Sequence, residues 1–337
     1  EGPESDDTGG SDALDVMPDW AISAGGKALE FLPDSIQSSV RESVLDRVVE
    51  ITDGDGVNRA AIDLLEETDD DPFFCFLHYW DVHTPYDPPE RYVESVRDRN
   101  EYDDTPVRTV IDEHGFDGTI TGEALRKRKL RGELPETVGD IEAHYDAAVE
   151  YVDDCIDELL TSLSDRGILE DTCVVLTADH GESLVEKGVF FDHHGLHDPV
   201  VNVPLVVSGP HVPDTSVSHT VQHVDIAPTV CDIAGLDEPQ GAGESLVPLI
   251  RGTTDSPPRD GIAFAEERHT RAARMMYDDD VKLITTLEGD GECRYCELRH
   301  EAHDALYDLG DDPDETVNLL DDLDTDPRAQ SLLDAFE

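Results

Sequence analysis

Apolar residues recur at three- and four-residue steps from Val138 to Leu163, through Ile141, Tyr145, Ala148, Val152, Ile156 and Leu159. That period predicts an amphipathic helix, which Gly167 stops. A run of β-branched and apolar residues follows, Thr172 to Ala178. Its unbroken apolar character suits a strand buried on both faces. Helix, short loop and strand in that order predict a crossover unit of a parallel sheet. Phe73–Tyr79 reads as a second buried strand and Val203–Ser208 as a third. Helical spacing also marks residues 36–50 (Val40, Val44, Val48) and 57–67 (Val57, Ala61, Leu64). Asp225 is placed to cap a helix Ile226–Ala234, with Pro228 in its first turn and Gly235 ending it.

Beyond about residue 255 the pattern changes. Ile262–Ala265 and Val281–Leu287 are short strands with no long helix between them. They predict a small antiparallel sheet in a separate subdomain. An acidic loop spans 308–326, and Pro327–Phe336 reads as a final helix. The expected organisation is a partly disordered lead-in with a helix (1–56), an α/β core (57–255) and a C-terminal α+β subdomain (256–337).

Charge narrows the function classes. The 337 residues hold 24 Lys and Arg against 80 Asp and Glu, a formal net charge of -56. Such a field repels phosphates, which argues against nucleic acid and against an anionic membrane as partners. Regular apolar spacing argues against disorder. A surface this acidic suits concentrated salt, where the screening length falls to about 3 Å at 1 M. Four of the six cysteines, Cys75, Cys155, Cys173 and Cys231, sit within apolar patterns and read as small hydrophobes in a reducing compartment. Together these features predict a salt-accumulating cytoplasm. No stretch is long and apolar enough to predict a transmembrane helix.

The candidate chemistry lies at strand ends. Asp179-His180-Gly181-Glu182 follows the 172–178 strand. In open α/β sheets ligands bind beyond the carboxyl ends of strands. A carboxylate beside an imidazole at that edge reads as a metal site, Asp179 a hard oxygen donor and His180 a borderline nitrogen donor. The pair alone does not choose among calcium, magnesium, manganese and zinc. Off the end of the 73–79 strand runs a Pro-rich loop, Trp80-Asp81-Val82-His83-Thr84-Pro85-Tyr86. His83 there can donate or accept a proton near neutrality. Cys293-x-x-Cys296 with His300 and His303 reads as a hairpin with incidental thiols, ahead of a zinc clip or redox pair.

Four blocks in order give a resemblance: Phe73–Tyr86, Asp179–Leu205, Val224–Leu246, and Val281–Ile284 with Leu306–Leu319. Over roughly residues 57–320 the chain resembles the sulfatase family of the alkaline-phosphatase superfamily. The resemblance implies an α/β fold, a mostly parallel sheet sandwiched by helices, with a small C-terminal α+β subdomain containing an antiparallel sheet. It implies hydrolysis of a small-molecule sulfate ester, with Asp179 and His180 binding a divalent cation, calcium first among the candidates. It implies that His83 contacts the sulfate and protonates the leaving group. His193 and His194 stand where many sulfatases carry a lysine on a sulfate oxygen, His193 the closer match. Val82 departs from the usual Pro of the Pro-His-x-Pro loop. The family's nucleophile, a formylglycine made within Cys/Ser-x-Pro-x-Arg, finds no match among the six cysteines. The chain is thus expected to be the C-terminal portion of the hydrolase. The rivals are a phosphodiester or phosphonate hydrolase of the same superfamily and a non-catalytic acidic cation-binding remnant.

Overall fold

The computed structural model describes residues 53–67, 72–114, 136–184, 186–189, 191–193, 195–237, 239, 241, 243–267, 273–278, 280–286, 304–320 and 323–336. The expected helix at 36–50, His194 and the Cys293–His303 group lie outside these residues.

Four helices build one side of the core: α1 (Gly54–Glu67), α2 (Glu90–Arg99), α3 (Val107–His114) and α4 (Val138–Asp165). A reciprocal capping box opens α4, the helix that the apolar stripe predicts. Asp140 N donates to Thr137 Oγ1 at 3.1 Å and Thr137 N to Asp140 Oδ2 at 3.1 Å. Gly167, at φ 68, takes the left-handed turn after its end. Along α4, Ala143 and Ala147 are fully buried, and such small side chains let Tyr92, Val93 and Val96 of α2 come close. About three turns further on, Leu159 and Leu163 meet Ala61 and Leu65 of α1.

Among the described residues, the backbone of 72–80 joins no ladder. The buried strand expected at 73–79 is therefore corrected. Leu77 packs toward α1 and α4, whereas Phe74 and Phe76 are each 78% exposed. Phe73 and Cys75 are exposed as well, so only Leu77 and Tyr79 of this segment are partly covered.

Strands β1 (Val174–Thr177) and β2 (Leu205–Ser208) pair antiparallel, Val174 opposite Ser208 and Thr177 opposite Leu205. The crossover predicted from the sequence ends at β1 and leaves the direction of β2 open. Between β1 and β2 the chain makes a long excursion that holds a short 3-10 turn (Glu186–Gly188) and the four-residue helix α5 (Asp198–Val201), and returns alongside. An excursion that comes back at the same end delivers an antiparallel partner. Leu176 and Val206, opposite each other, are exposed, so neither strand is covered on both faces.

After β2 come α6 (Ile226–Ala234) and α7 (Val247–Ile250). Gly235 ends α6 at φ 67, as the sequence predicts. Asp225 does not cap α6 with its side chain. Its buried carboxylate takes a bidentate grip from Arg259, both contacts 2.7 Å, and accepts the Gln222 and Glu244 amides. Burial alone would raise that carboxyl. The guanidinium and the two amides outweigh it and hold the group below the usual carboxylate range.

The C-terminal sheet has four strands in sequence order, all antiparallel: β3 (Ala263–Glu267), β4 (Ala273–Asp278), β5 (Val281–Thr286) and β6 (Ala305–Asp308). The final helix α8 (Pro327–Phe336) covers one face, Ala329 and Leu332 meeting Met276, Leu283 and Leu306. The other face sets Met275, Ile284 and Tyr307 against Leu196 and Val201. That second contact fixes the C-terminal sheet to the segment that follows His193.

Candidate active site

Three imidazoles from separate stretches meet beyond the carboxyl end of β1. His180 and His193 stack, their ring centroids 4.1 Å apart at 23°. His83 lies 5.2 Å from His193 and 6.4 Å from His180, centroid to centroid. A tight turn carries His83, with His83 N donating to Trp80 O and Tyr86 N to His83 O. Trp80 stacks on the His83 ring at 4.2 Å and fixes its plane.

Backbone carbonyls select the tautomers. His83 Nδ1 is 2.7 Å from Thr84 O, and His180 Nδ1 is 2.7 Å from Gly181 O. A carbonyl only accepts, so in each neutral ring Nδ1 carries the proton and Nε2 presents a lone pair. His180 is thereby prepared as an Nε2 ligand, in the way that outer hydrogen bonds orient metal-binding histidines. Asp179 Oδ2 lies 3.7 Å from that Nε2, on a side chain that is 69% exposed. Its other oxygen accepts the His180 amide at 3.1 Å. One open carboxylate and one prepared imidazole nitrogen fit a divalent cation.

Gly181 is needed for close approach. Its φ is not positive, yet a Cβ there would sit 2.1 Å from Pro199 O. Its amide donates to Val200 O at 2.7 Å, which draws α5 onto the site.

Glu182 is bound up with Tyr86, across 96 residues of sequence. The Tyr86 hydroxyl donates to Glu182 Oε1 at 2.7 Å. Burial, then the adjacent carboxylate, pushes the phenol well above its ordinary range, so it stays a donor. Glu182 Oε2 and Asp192 Oδ1 each lie 3.7 Å from His193 Nδ1. The ligating atoms of His180, Glu182 and His193 all fall within 4.8 Å of one another.

Sequence reasoning missed a buried network beneath the site. Lys282 of β5 is fully buried, its Nζ 2.7 Å from Asp198 Oδ1 and 2.7 Å from Glu315 Oε1. Glu315 Oε2 accepts the Asp198 amide at 2.9 Å and lies 3.2 Å from His197 Nδ1. Burial would raise the Glu315 carboxyl, but His197 and Lys282 outweigh it and bring it down to about 2. Lys187 donates to Glu315 O and lies over the Tyr307 ring. A lysine in an otherwise apolar strand was the one available signal for this network. His78 is exposed and set edge-on to Trp80.

The sulfatase family model matches residues 53–236, more than half of the chain. The chain belongs to the sulfatase family. A second family model, N-sulphoglucosamine sulphohydrolase, C-terminal, matches residues 186–336. Sulfatases of this family are hydrolases acting on sulfate esters, and as a family they bind a divalent metal. Arylsulfatase K of Xenopus laevis is 30% identical over 195 residues, covering 55% of this chain and 34% of the relative. Choline-sulfatase of Rhizobium meliloti (strain 1021) is 27% identical over 271 residues, covering 79% of this chain and 47% of the relative. The chain thus spans a third to a half of the length of these relatives.

Solved structures share the fold. One, a protein in complex with its substrate D-glucosamine-2-N,6-O-disulfate, aligns with a TM-score of 0.62 at 20% identity, covering 83% of this chain and 68% of that one. The phosphonate monoester hydrolase of Agrobacterium radiobacter aligns at 0.59 and 21% identity, covering 84% and 60%. The alkaline-phosphatase-like fold that the sequence implies is the fold of these neighbours.

Proposed function

We propose that this chain supplies the cation-binding and proton-donating part of an enzyme that hydrolyses sulfate monoesters. Asp179 and His180 Nε2 hold the divalent cation, calcium before magnesium, manganese or zinc. When bound, that cation draws charge from the sulfuryl oxygens. His83, with Nδ1 committed to the Thr84 carbonyl, uses Nε2 to carry a proton to the departing alcohol oxygen. His193, with His194 beside it, donates to a sulfate oxygen in place of the lysine of many relatives.

The nucleophile, a formylglycine by family resemblance, is proposed to come from a segment outside these 337 residues. The 337-residue chain alone is therefore expected to turn over nothing. A domain boundary at about residue 255, a small-molecule sulfate ester as substrate and a high-salt cytoplasm as the working location belong to the same reading.

The convergence of residues 83, 180 and 193 on one point, from stretches up to 110 positions apart, is the observation that supports this most. The test is an assay of aryl sulfates and aryl phosphonates with the polypeptide that joins this chain to the nucleophile segment. Sulfate esters should be preferred. His83→Ala should lower kcat by about 10²–10⁴-fold, with the largest loss for poor leaving groups. A preference for phosphonates would overturn the ester class. An undiminished kcat in His83→Ala would overturn the assignment of the acid.

A further inference from the structure

Glu182 has no role in the hydrolytic reading, yet it is built into the site with care. Its side chain is only 4% exposed. Among the described residues, no lysine or arginine pairs with it. Its contacts are the neutral Tyr86 hydroxyl on Oε1 and the His193 ring near Oε2. A carboxylate in such a place is costly unless a cation or a second strong donor joins it. Asp192, with a side chain 14% exposed, adds a second carboxylate 3.7 Å from the same imidazole nitrogen. Two carboxylates thus flank one imidazole nitrogen.

The pocket is also rich in ligand atoms. His180, Glu182 and His193 offer two imidazoles and one carboxylate, with the ligating atoms within 4.8 Å of one another. Two nitrogens and one oxygen suit a borderline transition metal such as zinc, and leave a fourth position open. They suit calcium poorly, because it wants six to eight oxygens. Outer hydrogen bonds already orient two of the three donors: the Gly181 carbonyl holds the His180 ring and Tyr86 holds the Glu182 carboxylate.

We infer that His180, Glu182 and His193 form a binding site for a zinc-class transition metal ion, with a donor set different from the Asp179–His180 pair. The two sites share His180, so they exclude each other. Zinc in this site also takes His193 out of reach of a sulfate oxygen. One consequence rests on the proposed sulfatase reading: zinc inhibits the enzyme and a hard cation relieves the inhibition. The site itself rests only on the donors.

The test needs no turnover. The 337-residue protein is titrated with Zn²⁺ by calorimetry and with Co²⁺ by visible absorption, with circular dichroism to check the fold. One ion should bind per chain, with the strong visible bands of four-coordinate cobalt. Glu182→Gln and His193→Ala should each abolish those bands. Tyr86→Phe should weaken binding roughly tenfold, and Asp179→Asn should weaken it far less than either ligand variant. If either ligand variant fails to fold, competition settles the matter in the unmodified protein: excess Ca²⁺ should displace Co²⁺ only at far higher concentration. Zinc held no more tightly than calcium, or no zinc bound, would overturn the inference. So would binding that survives both ligand variants and vanishes in Asp179→Asn, an outcome that leaves the sulfatase reading intact.

Discussion

At Gly181 the space allows one hydrogen and no more. A Cβ would meet the Pro199 carbonyl at 2.1 Å, and that oxygen belongs to the backbone. Gly181→Ala should destabilise the protein by about 1–3 kcal/mol, the usual range for overpacking, measured by urea unfolding. Glu315 gives a prediction about pH. Its folded carboxyl sits at about 2 against an ordinary 4.5. A depressed carboxyl stabilises the fold above its unfolded value. Its contribution should therefore be complete above about pH 4.5 and fade as pH falls toward 2. Lys282→Met leaves Glu315 buried without its ammonium and should cost about 3–5 kcal/mol; equal midpoints for the variant and the parent would contradict the network. His83, Asp179 and His180 stand out in the sequence because each follows a strand-like run, whereas His193 stands out only through the family resemblance. The sequence hid the Tyr86–Glu182 and Lys282–Glu315 contacts, which join residues 96 and 33 positions apart and depend on the finished packing.

Among elements, α4 was legible from its stripe because one face packs continuously on α1 and α2. Strands β4 and β6 were not foreseen as strands. Met275-Met276 and Ala305-Leu306 lack the β-branched run that marks β5, and they become strands by pairing with it. The direction of the β1–β2 pair was equally hidden, since pairing is settled over long range. The segment 72–80 shows the same limit from the other side. Its composition reads as a strand, but its open face carries Phe74 and Phe76. An exposed apolar face favours self-association. Phe74→Asp with Phe76→Asp should shift the 337-residue chain toward monomer in size-exclusion chromatography, at little cost in stability. Unchanged association would count against this face as its cause.

Over the whole molecule, charge and convergence matter most. With a net charge of -56, self-repulsion should be unscreened in dilute buffer. The melting temperature should rise with added potassium chloride, and full thermal stability without salt would contradict that reading. Among the described residues no helix is long and apolar enough to cross a membrane. The central claim is that a divalent ion at the end of β1 faces imidazoles from two other stretches. Histidine-labelled 337-residue protein titrated with paramagnetic Mn²⁺ tests this most directly. Ring signals of His83, His180 and His193 should broaden together at low metal, ahead of those of His144 and His211, and Asp179→Asn should weaken the effect. Broadening spread evenly over all the histidines, or sparing His83, would contradict the account.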